Sequence, residues 1–366
     1  MASNFNGTEE QLKIFDSDAE VKRVIACAGS GKTWVITNNI IKILEEGLCN
    51  PNEILALTFT RNAAENMRVR IKEKIKKKLD FENMDILTFN SFGNEIIREN
   101  SFEFGLGKDF KLLNSAESWQ AIYEIFSSFN FKNISVGKNV GKFIDDLLAY
   151  IQNLKNNLIR VADFEEYIKN YKEILISYKS EALKNEEEKV AEYQKELFDV
   201  YSGYEKSKRD KNCINYSDQI LLPYFLLTEN KRLGKKYRYK YKYIFIDEFQ
   251  DTNIAQAYLF SLLYNPGYNK IMVVGDDDQG IYSFRGACVE NILNFHKWDI
   301  YSKSSVSDFY LTVNFRSGKN IISTANNIIG ENKNRFNKEL KPENEKKDSK
   351  VIFCYNRTHR KEAQQR

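Results

Sequence analysis

The feature that most constrains this chain is a short glycine-rich turn between a β-branched run at residues 23–26 and a helix-like stretch. It reads Cys27-Ala28-Gly29-Ser30-Gly31-Lys32-Thr33. Glycines at these places let successive backbone N–H groups curl around phosphate oxygens. The lysine that follows reaches the outer phosphates of a nucleotide, and the threonine hydroxyl ligates Mg²⁺. The helix that opens there adds the positive end of its dipole. The general pattern starts with glycine, and Ala26 stands in that place here. Strand, loop, lysine and threonine still fall in order, which commits the chain to an α/β sheet with the loop at a strand end.

Further β-branched runs at 53–59, 86–89, 243–247, 271–274, 310–313 and 351–355 each hand over to helix-like sequence, so the sheet is expected to be parallel. A helix is expected over 63–79, with Met67, Ile71, Ile75 and Leu79 on one stripe. Between about 100 and 216 the strand pattern vanishes. Long charged helical sequence replaces it, including 182–208, and reads as an all-α domain inserted into the sheet. Residues 331–350 are rich in Lys, Glu and Asn and read as a loop.

A phosphate loop needs an acidic partner on a neighbouring strand. The run Tyr243-Ile244-Phe245-Ile246-Asp247-Glu248 supplies one. Asp247 can hold Mg²⁺ through water, and Glu248 can orient and deprotonate an attacking water. Composition removes other chemistries. Two histidines and five scattered cysteines, none in a C-x-x-C pair, leave no zinc spacing, disulfide framework or Ser-His-Asp arrangement, and point to a reducing cytosol. No apolar run of about 18 residues occurs, and no secretory leader pattern marks the first 20 residues. The net charge of +4 is too small to identify a partner. The basic run at 72–78 reads as the solvated face of a helix, and the one at 235–242 as a surface connection rather than a DNA track.

Several boxes taken together are far more specific. Asp247-Glu248-Phe249-Gln250-Asp251-Thr252 resembles the DExQDT box of UvrD/Rep-like superfamily 1 DNA helicases. The stretch 274–287, Val-Gly-Asp-Asp-Asp-Gln-Gly-Ile-Tyr-Ser-Phe-Arg-Gly-Ala, is similar to that family's GDxDQxIYxFRGA box. Residues 57–64 resemble its TFTxxAA box, and Asn314-Phe315-Arg316-Ser317 its NYRS box. The boxes occur in the family's order.

The resemblance implies a RecA-like P-loop NTPase sheet with an inserted all-α domain and a second RecA-like domain that is only begun. The expected limits are 1–100 and 217–305 for the first RecA-like domain, 101–216 for the insertion and 306–366 for the start of the second. It implies ATP-driven movement along single-stranded DNA, 3′ to 5′, with ATP and Mg²⁺ as cofactors. ATP would be held by Gln11, Ala28, Gly29, Ser30, Gly31, Lys32, Thr33, Trp34 and Phe315, and the metal by Thr33 and Asp247. Lys32, Asp247, Glu248, Gln279, Arg285 and Arg316 would carry the hydrolysis. Phe59, Thr60, Asn62, Asn90, Tyr282 and Phe284 would meet DNA, the aromatic faces stacking on bases at about 1–3 kcal/mol each.

Three departures modify this expectation. Trp34 stands where the family often has arginine, and Phe315 replaces the NYRS tyrosine, so an aromatic sandwich about adenine is expected, with Gln11 reading its edge. Asn90 replaces the histidine of a TFHSF box. Two later family boxes do not occur before Arg366. The chain is therefore expected to be the N-terminal part of a longer, cytoplasmic, monomeric protein that binds ATP and cannot unwind DNA alone. Expected partners are single-stranded DNA or its junction with duplex and a loading or repair protein, with no membrane. The rival readings are the helicase portion of a helicase–nuclease and an ATP-gated DNA clamp.

Overall fold

The computed structural model describes residues 6–75, 83–176, 181–298, 306–343 and 350–352. Helix α1 (Glu9–Asp16) precedes strand β1 (Val21–Ala26), and α2 (Lys32–Glu46), β2 (Ile54–Thr58), α3 (Arg61–Lys74), β3 (Asp85–Thr88) and α4 (Phe89–Glu99) follow. The chain then leaves the sheet through β4 (Lys111–Leu112) and α5 (Ser115–Ile125), α6 (Val140–Asn156), α7 (Val161–Ile176) and α8 (Glu181–Asp210). It returns through β5 (Cys213–Ile214), α9 (Asp218–Glu229) and α10 (Lys231–Arg238) to β6 (Tyr243–Ile246), α11 (Ile254–Ser261), β7 (Lys270–Gly275) and α12 (Glu290–Leu293). The last elements are β8 (Val306–Leu311), β9 (Val313–Asn314), α13 (Lys319–Ile329) and β10 (Lys341–Pro342).

Six strands form one parallel sheet in the order β3-β2-β6-β7-β1-β8. A parallel sheet is covered by helices on both faces, so its strands read as continuous apolar runs. Two apolar layers do this here. Phe92, Ile244, Ile246, Phe249, Phe260 and Val273 fill one side. Val24, Ile36, Ile40, Ala56, Met67 and Phe245 fill the other. Threonines begin the helices that leave the strands: Thr60 accepts the Ala63 N–H at the start of α3, and Thr88 accepts that of Ser91 at the start of α4. This geometry delivers every strand's carboxyl end to one edge of the sheet, where ligands bind in such folds.

The insertion has its own core of Ile122, Ile144, Leu147, Phe164, Val200 and Tyr204. Its neck is closed by the parallel pair β4–β5, a detail that two-residue strands give no sequence pattern to reveal. Below that neck lies a buried ionic cluster. Lys155 on α6 meets Glu205 at 2.5 Å and Asp218 at 2.6 Å, and Lys208 on α8 meets Glu205 at 2.9 Å and also pairs with Asp218.

One expected boundary is displaced. Val306–Leu311 pairs with β1 along its whole length, so it is the edge strand of the first sheet and not the opening of a second domain at 306. The strand expected at 351–355 has no regular structure at 351–352, and the rest lies outside the described residues. Helix α3 ends at Lys74, with Ile75 as its cap, so the expected continuation from 76 to 79 also lies outside them. The basic run 235–242 is largely neutralised: Lys236 pairs with Glu99 at 3.0 Å, Lys240 with Asp85 at 3.0 Å and Lys242 with Glu53 at 2.8 Å. Among the described residues no helix is long and apolar enough to cross a membrane.

Candidate functional site

The phosphate loop runs from the end of β1 into α2, with Gly29 at φ +67° and Gly31 at φ +88°. This backbone is open to glycine and strained for other residues. A Cβ on Gly29 would lie 2.8 Å from Asn314 Nδ2 and 3.0 Å from Arg316 Cβ, and one on Gly31 would lie 3.2 Å from Gln11 Nε2. The loop is braced from outside. The Asn314 amide donates to Ala28 O at 2.6 Å, the Phe315 N–H donates to Gly29 O at 3.0 Å, and the Ser30 hydroxyl donates to Cys27 O at 2.7 Å. The residues 314–316 therefore sit directly on the phosphate loop.

Lys32 and Thr33 face the end of β6. Lys32 Nζ lies 2.7 Å from Glu248 Oε2, and the Thr33 hydroxyl donates to Asp247 Oδ2 at 3.0 Å. Asp247 is buried, and burial together with the neighbouring Glu248 charge pushes its carboxyl up to about 6. Glu248 adopts φ +53°, a left-handed conformation that costs a non-glycine residue on the order of 1–3 kcal/mol and concentrates at functional sites. The donor set fits a magnesium nucleotide: a buried carboxylate disfavoured as an anion, beside a hydroxyl, below a cradle of glycine N–H groups that tolerates no Cβ.

Gln279 sits in the loop after β7, where its side-chain amide donates to Asp276 Oδ2. The Arg285 side chain lies outside the described residues. Arg316 is exposed, its backbone N–H held by Asn314 Oδ1 at 2.8 Å. Gln11 is buried and already engaged: Oε1 accepts the Thr8 N–H at 3.0 Å in a capping box, and Nε2 donates to Ser30 O at 3.4 Å. Trp34 packs on Phe15 with ring centroids 5.8 Å apart, while Phe315 stands 44% exposed beside the loop.

The expected DNA residues divide into two groups. Phe59 and Tyr282 stack at 5.2 Å and 26°, and Tyr282 leans on Phe284 at 6.1 Å. Phe284 is 77% exposed. A cleft of about 430 Å³ is lined by this Phe59–Tyr282 pair and Thr60 together with Thr33, Asp247, Glu248 and Gln279. A second cleft, about 420 Å³, shares Thr58, Phe59 and Thr60 and reaches Asn90 and Tyr216. Asn90 spends its amide on Tyr216 O at 2.8 Å and Gln219 Oε1 at 3.2 Å, which fixes the return from the insertion. Asn62 is exposed on the first turn of α3.

Sequence reasoning missed four side chains here. Gln250 is buried and donates to Glu248 Oε2 at 2.9 Å, while its Oε1 accepts the Asp276 N–H at 2.9 Å. It lay within the DExQDT box, and only its spacing could have marked it. Asn314 was likewise inside a box. Arg335 and Lys338 come from the stretch read as a loop and close on Asp276, Asp277 and Asp278. Burial pushes Asp276 up. It also pushes Asp278 up, but the Arg335 and Lys338 hydrogen bonds outweigh it and hold that carboxyl below the usual range.

The family model described as UvrD/REP helicase N-terminal domain matches residues 7–298. The chain belongs to this helicase family. It is 33% identical over 352 residues to a probable DNA helicase II homolog of Mycoplasma capricolum, covering 96% of this chain and 44% of the relative. It is 32% identical to one of Rickettsia conorii, covering 95% and 48%. It is 29% identical to the ATP-dependent DNA helicase PcrA of Staphylococcus epidermidis, covering 98% and 44%. The chain thus spans about half the length of the curated relatives it matches. The thiols of Cys27, Cys49, Cys213 and Cys288 are all free.

Proposed function

We infer that this chain binds and hydrolyses magnesium ATP and couples the hydrolysis to movement along single-stranded DNA, as the first motor unit of an ATP-dependent 3′–5′ helicase. The observation that carries the reading is the cleft whose lining joins Thr33, Asp247, Glu248 and Gln279 to the stacked Phe59–Tyr282 pair.

In this reading Lys32 takes the outer phosphates, in exchange for the carboxylate it pairs with at 2.7 Å. Thr33 and Asp247 hold the metal. Mg²⁺, when bound, offsets the charge of the phosphate oxygens. Glu248, its N–H on Asp247 and its carboxylate held by Gln250, orients the attacking water and takes its proton. Arg316, seated against Gly29, and Arg285 offset charge on the transferred group. Trp34 and Phe315 flank the adenine. Its edge would go to Gln11 after that amide leaves its capping partner. Phe59, Tyr282 and Phe284 stack on bases, with Thr60, Asn62 and Asn90 along the strand. The units are the sheet with its early strands, the insertion near 101–216 and a second RecA-like domain opening after β8. The working site is single-stranded DNA or a junction, in the cytoplasm, as a monomer that a loading or repair protein brings to DNA. This chain alone hydrolyses weakly and does not unwind.

Glu248→Gln tests the reading. DNA-stimulated phosphate release is expected to fall by about 100-fold or more, the scale of a lost general base, with nucleotide affinity retained. Little release by the full-length protein in either form would identify a clamp instead.

A further inference from the structure

Beyond the family's boxes, the segment after α13 returns to the sheet and inserts two cations beside the Gln279 loop. Lys338 Nζ lies 3.2 Å from Asp276 Oδ1 and 2.8 Å from Asp278 Oδ2, and it pairs more closely still with Asp277. Arg335 forks onto Asp278, with both nitrogens 2.8 Å from the carboxylate oxygens, and donates to Lys338 O at 2.9 Å. The Phe336 N–H donates to Asp277 Oδ2 at 2.8 Å, and the Arg23 guanidinium lies 4.8 Å over the Phe336 ring. The three carboxylates are close enough together to ligate a metal ion. The Lys338 ammonium already fills that role, so the cluster is an internal ion pair and not a metal site.

From this cluster a run of bonds leads to the hydrolytic carboxylate. Asp276 faces Lys338 with Oδ1, accepts the Gln279 amide with Oδ2, and donates its N–H to Gln250 Oε1 at 2.9 Å. Gln250 in turn donates to Glu248 Oε2 at 2.9 Å, and Glu248 meets Lys32. Lys338, Asp276 and Gln250 are all buried, and in a water-poor setting such bonds strengthen and orient one another. Losing the cation leaves the Asp276–Gln279 loop with an excess of buried negative charge, and the Asp276 carboxyl held only by the Gln279 amide and the Asp278 N–H.

We propose that Arg335 and Lys338 are positioning residues for the phosphate chemistry: they clamp the Asp276–Gln279 loop, and through Asp276 they set Gln279 directly and Glu248 by way of Gln250. Displacement of the segment after α13 then changes the hydrolysis rate without any group in that segment touching the nucleotide. The effect is a loss of turnover rather than of binding, because the hydrogen bonds of both cations go to the aspartates after β7 and to the Lys338 carbonyl rather than to the phosphate loop.

The inference rests on the hydrolysis proposed above. Its test compares wild type, Lys338→Met, Lys338→Arg and Arg335→Gln in the full-length protein. Steady-state ATP turnover is measured with saturating oligo-dT, together with amide hydrogen exchange. In Lys338→Met, kcat is expected to fall about 10-fold or more, the scale of a lost charged hydrogen bond, with KM for ATP within about 2-fold. Lys338→Arg restores much of the rate. Exchange accelerates across 276–281 and stays unchanged in the insertion. A kcat equal to wild type, or kcat and KM shifting together with no rescue by arginine, overturns the proposal. If Lys338→Met does not fold, Arg335→Gln decides by the same criteria, since its side chain reaches solvent. If wild type itself releases no phosphate, the hydrolysis reading fails. Exchange at 276–281 then decides this one, and unchanged protection overturns it.

Discussion

At the root of the helical insertion Lys155 and Lys208 face Glu205 and Asp218, while at the end of β7 Lys338 and Arg335 face Asp276, Asp277 and Asp278. Both clusters are buried and both join elements far apart in sequence. Their charge counts differ. The root matches two cations to two carboxylates, and Asp218 further accepts the Asn215 N–H at 2.8 Å. Burial pushes the Asp218 carboxyl up, but Lys155 and Lys208 outweigh it and hold it far below the usual range. The β7 cluster has a carboxylate to spare, and Asp247 and Asp251 nearby are pushed up to about 6 by burial and by the Glu248 charge. The same physics that locks the insertion in place leaves carboxylates in excess of cations at the site.

The sharpest way to break this contrast is to unbalance the root. Lys155→Met leaves Asp218 buried with one cation fewer, and breaking a buried pair costs roughly 3–5 kcal/mol. Urea unfolding should show a loss of that size. Turnover of the molecules that remain folded should stay within about 2-fold of wild type, the reverse of the split expected for Lys338→Met. A root variant that slowed turnover as much as Lys338→Met would erase the distinction between the two clusters.

A second prediction uses pH. Asp251 is 8% exposed, and its Oδ1 accepts no hydrogen bond from the described residues. Its carboxyl, raised to about 6, binds a proton more readily folded than unfolded. Its contribution to stability is therefore complete below the ordinary carboxylate range and lost as pH rises through 6. Asp251→Asn removes that charge and should stabilise the protein at pH 8 by about 2 kcal/mol, with the gain shrinking as pH falls below 6 and gone only below the ordinary carboxylate range. Asp218 has the opposite sign. Its contribution is present above the ordinary carboxylate range and is lost only as pH falls toward its depressed folded value. Denaturant midpoints across pH 4–8 separate the two, and a pH-independent gain for Asp251→Asn would sink the argument.

The phosphate loop, Asp247 and Glu248 were legible in sequence because their function demands local backbone: glycines where φ is positive, a strand ending in acids, a hydroxyl one residue past the lysine. The boxes named Phe59 and Tyr282 singly, and that the two rings stack on one another shows only in the fold. Strand β8 was misplaced for a physical reason. Its centre, Ser307-Asp308, breaks the apolar run, yet Asp308 is where the buried Arg23 finds its partner, at 2.6 and 2.8 Å. Arg335 and Lys338 were illegible because a lysine in a Lys- and Glu-rich stretch looks solvated until the fold brings it to three aspartates. Gln11 and Asn90 show the converse. Both were placed in the right neighbourhood, but their amides are bonded within the protein in ways that spacing does not encode.

The smallest effect is also the most discriminating about how the root works. Glu205 is its one member near solvent, with 16% of its side chain exposed, and a single oxygen serves both lysines, at 2.5 and 2.9 Å. Glu205→Gln keeps an oxygen of the same size facing both ammonium groups, so the packing survives and the charge balance is lost. The cost should be about 1 kcal/mol, well below that of Lys155→Met. Because part of the carboxylate reaches water, salt screens its share of the field, and the gap between Glu205→Gln and wild type should narrow between 0.05 and 1 M salt, roughly as the screening length falls to about 3 Å. Lys155→Met should show no such narrowing, since its loss lies where ions do not reach. Equal salt dependence for the two would mean that the root is held by charge at the surface and not by matched charges in its interior.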